Sequence, residues 1–477
     1  MPISTKFKKY PYTIAGDTFI SSAKDLSIQR TRNMYAVPAQ NSLTDNAAVY
    51  SFPGLKSEFD FSLTTGDRGI HKRIFKGLGI KVSGDRLVAF GSDFQATTVA
   101  GILGSGLVSM EDNGSVLVVT TNEGMYQSSD GVSYSLVSLD FTPVQIAYLN
   151  DQFIALDSDG FIWVANVGTL TFNNLNTFKA DSTPSKTVAI KVFNQFLFAI
   201  SDEDFEPWEN TGTGNPPFER MNGAISEDTG IANKDCICST SSAMYFLGSD
   251  NMPYRLVNFN SVKLSDSNIG ISEEFSGYDT ADAFIQCMLI NGMNMIFYYF
   301  PAEGKVWVFN EITNLWSEID EGVNEGSLWR GKTSAFLFGK MVVGDKDNGN
   351  IYTLDETTFK DNGVQKTRQR VFRPFAGETI GSPREYMQMK MIQFAVETAV
   401  GIGDDDPQMI VDYSTDGGRS FGAESWLSLG RSGDYQESIE DHSNRKFKDL
   451  TVRVTYTENT RFTLYDAGIY VRGAGRP

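Results

Sequence analysis

Short apolar runs separated by Gly, Asp and Asn turns recur from about residue 66 to residue 360, and helical periodicity over ten or more residues is scarce. The runs "DRLVAFGS", "GSVLVVTTNEGMY", "DQFIALDSDGFIWVA", "NQFLFAISDEDFEPW", "SAMYFLGSDNMPYRLV", "NMIFYYFPAEGKVWVF" and "GKMVVGDKDNGNIYTLD" mostly share one order. An apolar strand ends in a small turn, and a second strand follows that carries an aromatic. That order is a β-hairpin signature. The centres fall near Leu87, Leu117, Ile154, Leu197, Tyr245, Ile296 and Val342, a spacing of roughly 30 to 50 residues, the period of propeller blades. A blade is a four-stranded sheet, and seven units fall within the range of known propellers. Radial closure also removes the edges that a long open sheet would expose. The expected fold is all-β, with a seven-bladed β-propeller over residues 66–366; two stacked β-sandwiches are the alternative.

The pattern breaks in "TRQRVFRPFAGETIGSPRE", which is basic and then rich in Gly and Pro, so residues 367–383 read as a linker. Alternating strands resume in "YMQMKMIQFAVETAV", "QMIVDYSTDGGRSF" and "KDLTVRVTYTENTRFTLYDAGIYVRG". Residues 384–477 are therefore expected to form a separate antiparallel β-sandwich. In "LTVRVTYT", Val452, Val454 and Tyr456 share one face, with Thr451, Arg453 and Thr455 on the other. Ahead of the repeats, residues 1–65 show neither a helix nor a hairpin. The stretch "RTRNMYAVPAQNSLTDNAAVYSFPGL", residues 30–55, carries Pro38 and Pro53 and reads as extended chain.

The length of 477 residues allows two to four domains, or one large repeat domain with an addition. The formal net charge of −18 opposes a grip on duplex phosphates, which needs a positive footprint. Cys236 and Cys238 are separated by one residue and Cys287 lies far away. Three cysteines give no disulfide framework, and two histidines give too few ligands for a zinc site, so the cysteines read as small buried residues. A reducing folding compartment is the simplest inference. No secretory signal follows the N-terminal lysines, and no window approaches eighteen apolar residues, so no membrane anchor is expected.

Candidate chemistry is sparse. "STDGGRSF", residues 414–421, resembles the Asp-box of sialidase-like propellers, and "SSDGVSY", residues 128–134, is a copy one residue short. In such a box an Asp accepts turn N–H groups and an aromatic pins the turn to the sheet, which stabilises without catalysing. "DKDNGNIYTLDE" starts like a calcium loop, with Asp345, Asp347 and Glu356 at positions 1, 3 and 12. However, Asn350 occupies the sixth position, where such a loop needs Gly, and Gly349 comes one place early. "DSDG" offers Asp157, Asp159 and Gly160; both segments read as hairpin turns, with bound Ca²⁺ at Asp345 and Asp347 as the alternative. "ISDEDFEPWEN", residues 200–210, sets Trp208 beside Asp202, Asp204 and Glu206, a sugar platform or a solvated blade loop. His71 and His442 have no nucleophile-elbow partner, and no phosphate-binding Gly loop occurs. "KTRQRVFR" holds Lys366, Arg368, Arg370 and Arg373, which would touch phosphate or pack an interdomain or subunit interface against acidic neighbours. No catalytic, cofactor-binding or metal residue is assigned, and no enzyme is expected.

An "N-M-Y-A-x-P" segment (Asn33, Met34, Pro38) followed by "Y-S-F-P-G-L" (Ser51, Phe52, Pro53, Gly54) resembles the N-terminus of the tail hub proteins of short-tailed bacteriophages. These are also called the packaged-DNA stabilisation proteins. Residues 99–115, 245–275 and 295–319, the "GDKDNGNIYTLD" hairpin and "STDGGRSFG" are similar to segments of that family in the same order, whereas residues 166–233 match least. The resemblance implies a structural protein of the phage tail, assembled in the host cytoplasm. Copies, six by analogy, would form a ring below the portal and its adaptor protein. The ring would extend the DNA channel, help retain the packaged genome with a tail needle or plug, and dock tailspikes or fibres. Double-stranded DNA would pass through without sequence-specific contact, and an acidic lumen would repel its phosphates. On this reading the N-terminal segment straps along the propeller, pinned by Met34, Tyr35, Phe52 and Leu55 and bent at Pro38 and Pro53. A host-glycan-binding propeller adhesin, with exposed aromatics at Phe205 to Trp208, and a sialidase-like glycoside hydrolase are the alternatives.

Overall fold

The computed structural model describes residues 6–20, 28–38, 47–226, 229–265, 269–322, 325–377, 386–402, 404–435 and 439–474. The chain is all-β and contains a β-propeller. Asp67–Ile70, Gly79–Ser83, Arg86–Phe90 and Ala96–Gly101 pair in sequence order as one antiparallel four-stranded sheet. Residues 109–136, 143–179, 189–220 and 237–263 repeat that meander. Phe284–Ile290, Met293–Phe300, Lys305–Asn310 and Trp316–Glu318 repeat it again, but their outermost strand continues into a larger sheet. Every expected repeat centre falls on a strand of its own unit, the third for Leu87 and the second for the six from Leu117 to Val342.

The repeat is local in origin. In several units the first two strands turn on two residues that both have positive φ: Asn150–Asp151 (48° and 60°), Asn194–Gln195 (48° and 68°), Asn291–Gly292 (49° and 74°) and Phe338–Gly339 (52° and 76°). Two left-handed residues give the hairpin whose twist matches its strands. Asn and Gly meet that demand cheaply, and the turn fixes which residues face the neighbouring unit. Neighbouring units share their cores. Ile154, Ile162 and Val164 of one unit pack with Ile190, Leu197 and Trp208 of the next.

The last repeat has only three strands of its own, Gly331–Leu337, Lys340–Asp345 and Ile351–Asp355. Its fourth is Gly54–Phe59 from the N-terminal segment, antiparallel to Ile351–Asp355, with Leu55 opposite Leu354. The chain then enters the first sheet at Asp67. First and last units meet closely: Lys81 Nζ donates to the Asn350 carbonyl at 2.9 Å. Phe90 and Phe94 pack around Phe338. A Cβ on Gly66 would stand 1.8 Å from the Lys346 carbonyl oxygen.

The rest of the N-terminal segment departs from a simple strap along the propeller. Lys8–Pro11 pairs with residues 468–471, and Ala47–Ser51 pairs with both Met34–Pro38 and residues 463–464. Ile28–Arg32 lies antiparallel to Arg368–Val371 and meets Glu318 in parallel. Tyr12, Ile14 and Met34 are buried with Met389, Ile392, Val411, Val452, Val454 and Tyr456 between two packed sheets. Tyr35, Phe52 and Leu55 are buried against the propeller with Phe297, Trp329 and Tyr352. The four anchors named from sequence are thus all buried, but they divide between two cores. Residues 367–383, expected to be a linker, contain the strands Arg368–Val371 and Phe375–Ala376; the remainder, from 378, lies outside the described residues. The Gly/Pro composition hid these strands because their hydrogen-bond partners lie some eighty residues on, in Asp449–Tyr456.

One helix stands out, Ile269–Ser276, too short to persist on propensity alone. Phe275 secures it, its ring 5.6 Å from Trp316 and 4.8 Å from Phe300.

Candidate functional site

The run "RTRN" forms a clamp. Strand Ile28–Arg32 points Arg30 and Arg32 to one side, as a period of two requires. Arg30 makes a bidentate pair with Glu318 at 2.8 and 2.7 Å and also reaches Glu325. Arg32 Nε donates to Asp320 at 2.5 Å, and both side chains are almost wholly buried. Asn33 takes a left-handed conformation (φ 55°), and its amide donates to Asp320 and to the Thr367 carbonyl at 2.7 and 2.8 Å. Asn tolerates that φ better than most residues. The clamp therefore locks the N-terminal segment to the outer strand of the 284–318 unit.

The candidate carboxylates of the turns all serve the turns. Asp157 accepts the backbone N–H groups of Asp159 and Phe161 and the indole N–H of Trp163 at 2.7–2.8 Å. Asp345 is fully buried; it accepts the Asp347 N–H at 2.7 Å and the Tyr352 hydroxyl at 2.6 Å, and pairs with Arg330 at 3.1 Å. Asp347 points outward to Lys346 instead, so the two carboxylates do not converge as calcium ligands would. Both Asp-box turns form. Ser128 donates to Asp130 at 3.0 Å, and Asp130 accepts the Val132 and Ser133 N–H groups. Ser414 donates to Asp416 at 2.6 Å, and Asp416 accepts the Arg419 and Ser420 N–H groups at 3.0 and 3.1 Å. The Arg453 guanidinium stacks 3.9 Å over Phe421.

Asp416 is held well below the usual carboxylate range, first by the Ser414 and Ser420 hydroxyls and then by the turn N–H groups. A carboxyl depressed in the fold adds stability above its unfolded pKa of about 3.9 and loses it as pH falls through the folded value. Asp416→Ala is therefore expected to lower the melting temperature slightly at pH 7. The gap between the two proteins should close as the pH falls towards 2, which melts across that range would reveal.

The acidic-aromatic cluster is buried rather than presented. Trp208 packs on Phe178 with ring centroids 4.4 Å apart, inside the strand Phe205–Asn210. Ser182 bridges Asp204 and Glu206, donating through Oγ to both and through its N–H to Glu206 at 2.6 Å. Of residues 200–210, Asp202, Glu203 and Glu209 are exposed. A sugar platform needs an open ring face, so the strand offers no platform, while Asp202 and Glu203 lie exposed in the turn that precedes it. The expectation failed because the strand continues through residues that composition marks as polar.

The basic segment is buried as well. Lys366 Nζ lies 2.8 Å from Asp361, with both side chains inaccessible. Arg368 donates to the Phe359 and Glu458 carbonyls at 2.6 and 2.7 Å and stacks on Phe359 and Tyr456. Arg370 donates to the Ile14 carbonyl at 2.7 Å and to the Thr31 hydroxyl at 2.6 Å. Of the four cations only Arg373 is exposed. This face joins the propeller, the N-terminal segment and the C-terminal sheets; it is not a phosphate grip.

His71 is buried, with Nε2 2.8 Å from Asp112, and burial pushes its pKa down. His442 is exposed beside Glu440. Cys236 and Cys238 are buried and all three thiols are free; burial raises Cys236 beyond the normal thiol range and Cys287 to about 12. Among the described residues no group of three or more His, Cys, Asp or Glu side chains is placed to hold a metal ion.

A cavity of about 510 Å³ lies among the first strands of the repeat units, lined from Asp67–Ile70, Ser109–Asp112, Pro143–Leu149, Ala189–Phe193, Ile237–Ser239, Phe284–Ile290 and Gly331–Leu337. It is too small for a DNA duplex, whose major groove alone is about 12 Å wide. A second cavity of about 520 Å³ adjoins it through Leu107 and Asp235 and is walled by Phe284, Tyr299 and Trp329.

The fold defines a β-propeller protein whose candidate carboxylates and basic segment are engaged in folding contacts. A family model for phage stabilisation proteins, described as "Bacteriophage P22 Gp10, beta-propeller", matches residues 12–359, and the chain belongs to that family. It is a structural protein of the phage virion, of the stabilisation and tail hub type, and its partners are virion proteins. No curated protein matches the chain. Similar solved structures include YCF48 bound to a D1 peptide, at 13% identity and TM-score 0.41, covering 64% of this chain and 98% of that one. Another is BBS1N in complex with ARL6DN, at 13% identity and TM-score 0.43, with the same coverage. The computationally designed Ika8 protein matches at 10% identity and TM-score 0.38, over 71% of this chain and 100% of that one. Likeness at this level carries no argument about function.

Proposed function

We propose that copies of this phage protein close into a ring, six by analogy with the family, below the portal and its adaptor protein. The ring continues the DNA channel, helps hold the genome in with a tail needle or plug, and docks tailspikes or fibres. The observation that carries the reading is the family match over residues 12–359. It is supported by the burial of Phe205 and Trp208, which removes the exposed aromatics that the adhesin reading named. The ring reading needs head-to-tail contacts that close. Its lumen, rather than the small cavity inside one propeller, is the conduit for DNA. The net charge of −18 suits a passage that must not retain phosphates.

The reading also includes seven blades, the seventh completed by Gly54–Phe59, and a β-sandwich built from both ends of the chain. The cavity lined from the first strand of every unit supports the count. The shared core of Tyr12, Met34, Met389 and Val452 supports the composite sandwich.

The test is to quantify this protein against portal protein in purified DNA-filled particles. A fixed ratio near one to two is expected for six copies on a twelve-copy portal. Absence from the particles would refute the hub and redirect attention to glycan binding by the isolated protein.

A further inference from the structure

The outer face of the C-terminal sheet is basic, in a chain whose net charge is −18. Met387–Val396, Thr463–Gly473 and Arg445–Phe447 turn Met389, Ile392, Ile469, Val471 and Phe447 into the core. Alternate residues therefore point outward. Lys446, Gln388 and Arg472 stand opposite one another in one row, and Lys9 stands opposite Tyr470 in the next. Three aromatic rings lie under cations. Arg472 is 4.6 Å from the centroid of Phe7, Lys448 is 5.0 Å from that of Tyr386, and Lys9 is 5.8 Å from that of Tyr470. A Cβ on Gly468 would stand 2.3 Å from Lys9 Cε, so that side chain lies flat on the sheet. Lys9 and Arg472 donate to neutral groups, Gln393 at 2.6 Å and Gln388 at 2.8 Å. Among the described residues none of Lys9, Lys446, Lys448 and Arg472 forms an ion pair, and Glu440, opposite Gln393, sits beside His442.

A complementary patch lies on the outer rim of the propeller. Glu209 and Glu219 stand directly opposite each other on Phe205–Asn210 and Phe218–Arg220, the second being the outermost strand of its unit. Both are exposed, and neither side chain has a hydrogen bond or an ion pair among the described residues. Like charges placed directly opposite destabilise a sheet, and a cation set between them relieves that repulsion. The two carboxylates line a groove of about 420 Å³ with Thr211, Met221 and Asn222.

The patches belong to separate parts of the chain. The unit 189–220 shares its cores with the units 143–179 and 237–263, whereas the C-terminal sheets are tied through Ile28–Arg32 to the unit 284–318. We infer that the basic face of one copy docks on the acidic rim of a second copy, with Lys446 and Lys448 set against Glu209 and Glu219. Contact between two different patches is the heterologous kind that a ring requires. The inference rests on the ring reading above and assigns its interface. Duplex DNA is the other polyanion that suits a basic face. Four cations on a chain of net charge −18 are a small footprint for it, whereas the opposed carboxylates are an unpaired acceptor on the protein itself.

Purified DNA-filled particles are treated with a carbodiimide, which joins lysine and carboxylate side chains only where they touch. Peptides linking Lys446 or Lys448 to Glu209 or Glu219 are expected. Particles are also grown with variant chains. Lys446→Glu with Lys448→Glu is expected to lower the copies per particle at least tenfold, and Glu209→Lys with Glu219→Lys to do the same. Each isolated variant should melt like the parent, because all four residues are exposed. The chain carrying all four reversals is expected to return to the particles, since exchanged charges still match. Normal incorporation of either reversed pair overturns the inference, as does exclusion of the fourfold variant. Links from Lys446 or Lys448 to a different protein overturn it too. So does shielding of these lysines from acetylation only while the genome is present, the sign of a DNA contact. Absence of the parent chain from the particles refutes the hub reading itself, and the inference with it.

Discussion

A chain lacking residues 1–60 is expected to give no soluble, cooperatively melting protein. A chain lacking residues 1–53 should keep a propeller transition at a reduced temperature. The difference lies in Gly54–Phe59, the fourth strand of the unit that abuts the first sheet. Without that strand, Ile351–Asp355 becomes an unprotected edge beside the point where the ring of sheets closes. Both deletions remove Met34, Tyr35 and Phe52, and the longer one removes Leu55 as well, each 1% exposed. At roughly 1.5–3 kcal/mol per buried large apolar side chain, these four contribute on the order of 6–12 kcal/mol. That is comparable with the roughly 5–15 kcal/mol by which a folded protein is stable at all. The shorter deletion sheds the strands that pair with the C-terminal sheets and the Arg30 and Arg32 clamp but leaves the closing strand in place. Gly66→Ala tests the closure alone. Its Cβ would collide with the Lys346 backbone, an overpacking that costs about 1–3 kcal/mol. Calorimetric melts of the three proteins decide the matter. A chain without residues 1–60 that melts like the parent would refute closure by the N-terminal strand.

The sequence made the propeller legible because its signal is local. An Asn or Gly turn between two short apolar strands lies within some fifteen residues, and "DQFIALDSDGFIWVA" holds strand, turn and aromatic together. The sheets beyond the propeller were legible only in their C-terminal strands. Lys8 pairs with Val471, and Tyr50 with Thr463, across more than four hundred residues, and such pairing leaves no local pattern. The basic segment was misread for a related reason. Whether a lysine is buried depends on whether a carboxylate waits for it, and Asp361 owes its position to the closing strand. The clamp did carry a faint signal. Arg30 and Arg32 stand two apart, as do Glu318 and Asp320, so matched charges recur at strand period in two distant segments. Trp208 shows the converse limit. The acids around it imply solvent, yet Ser182, Ser201 and Arg220 satisfy or approach them from within.

Asp361→Asn is expected to destabilise the chain by about 3–5 kcal/mol, the cost of leaving a buried charge unpaired. Asp361 accepts the Leu55 N–H at 3.1 Å and the Trp329 indole N–H at 2.9 Å, and pairs with Lys366 at 2.8 Å. It therefore ties the closing strand, the propeller core and the basic segment at one point. Lys366, Arg368 and Arg370 sit two residues apart. Each anchors a different part of the fold: Asp361 beside the closing strand, the Glu458 carbonyl of the C-terminal sheets, and the Ile14 carbonyl of the N-terminal segment. Lys366→Met should also destabilise, because it leaves Asp361 charged and buried. The double variant Asp361→Asn with Lys366→Met should be more stable than the sum of the single losses predicts, by about 0.5–3 kcal/mol of coupling. Denaturant melts of all four proteins measure that cycle. Strict additivity would mean that the two charges do not interact and that the segment is held by its backbone ladder alone. Coupling within the expected range would make the buried pair the electrostatic hinge pin between the propeller and the C-terminal sheets.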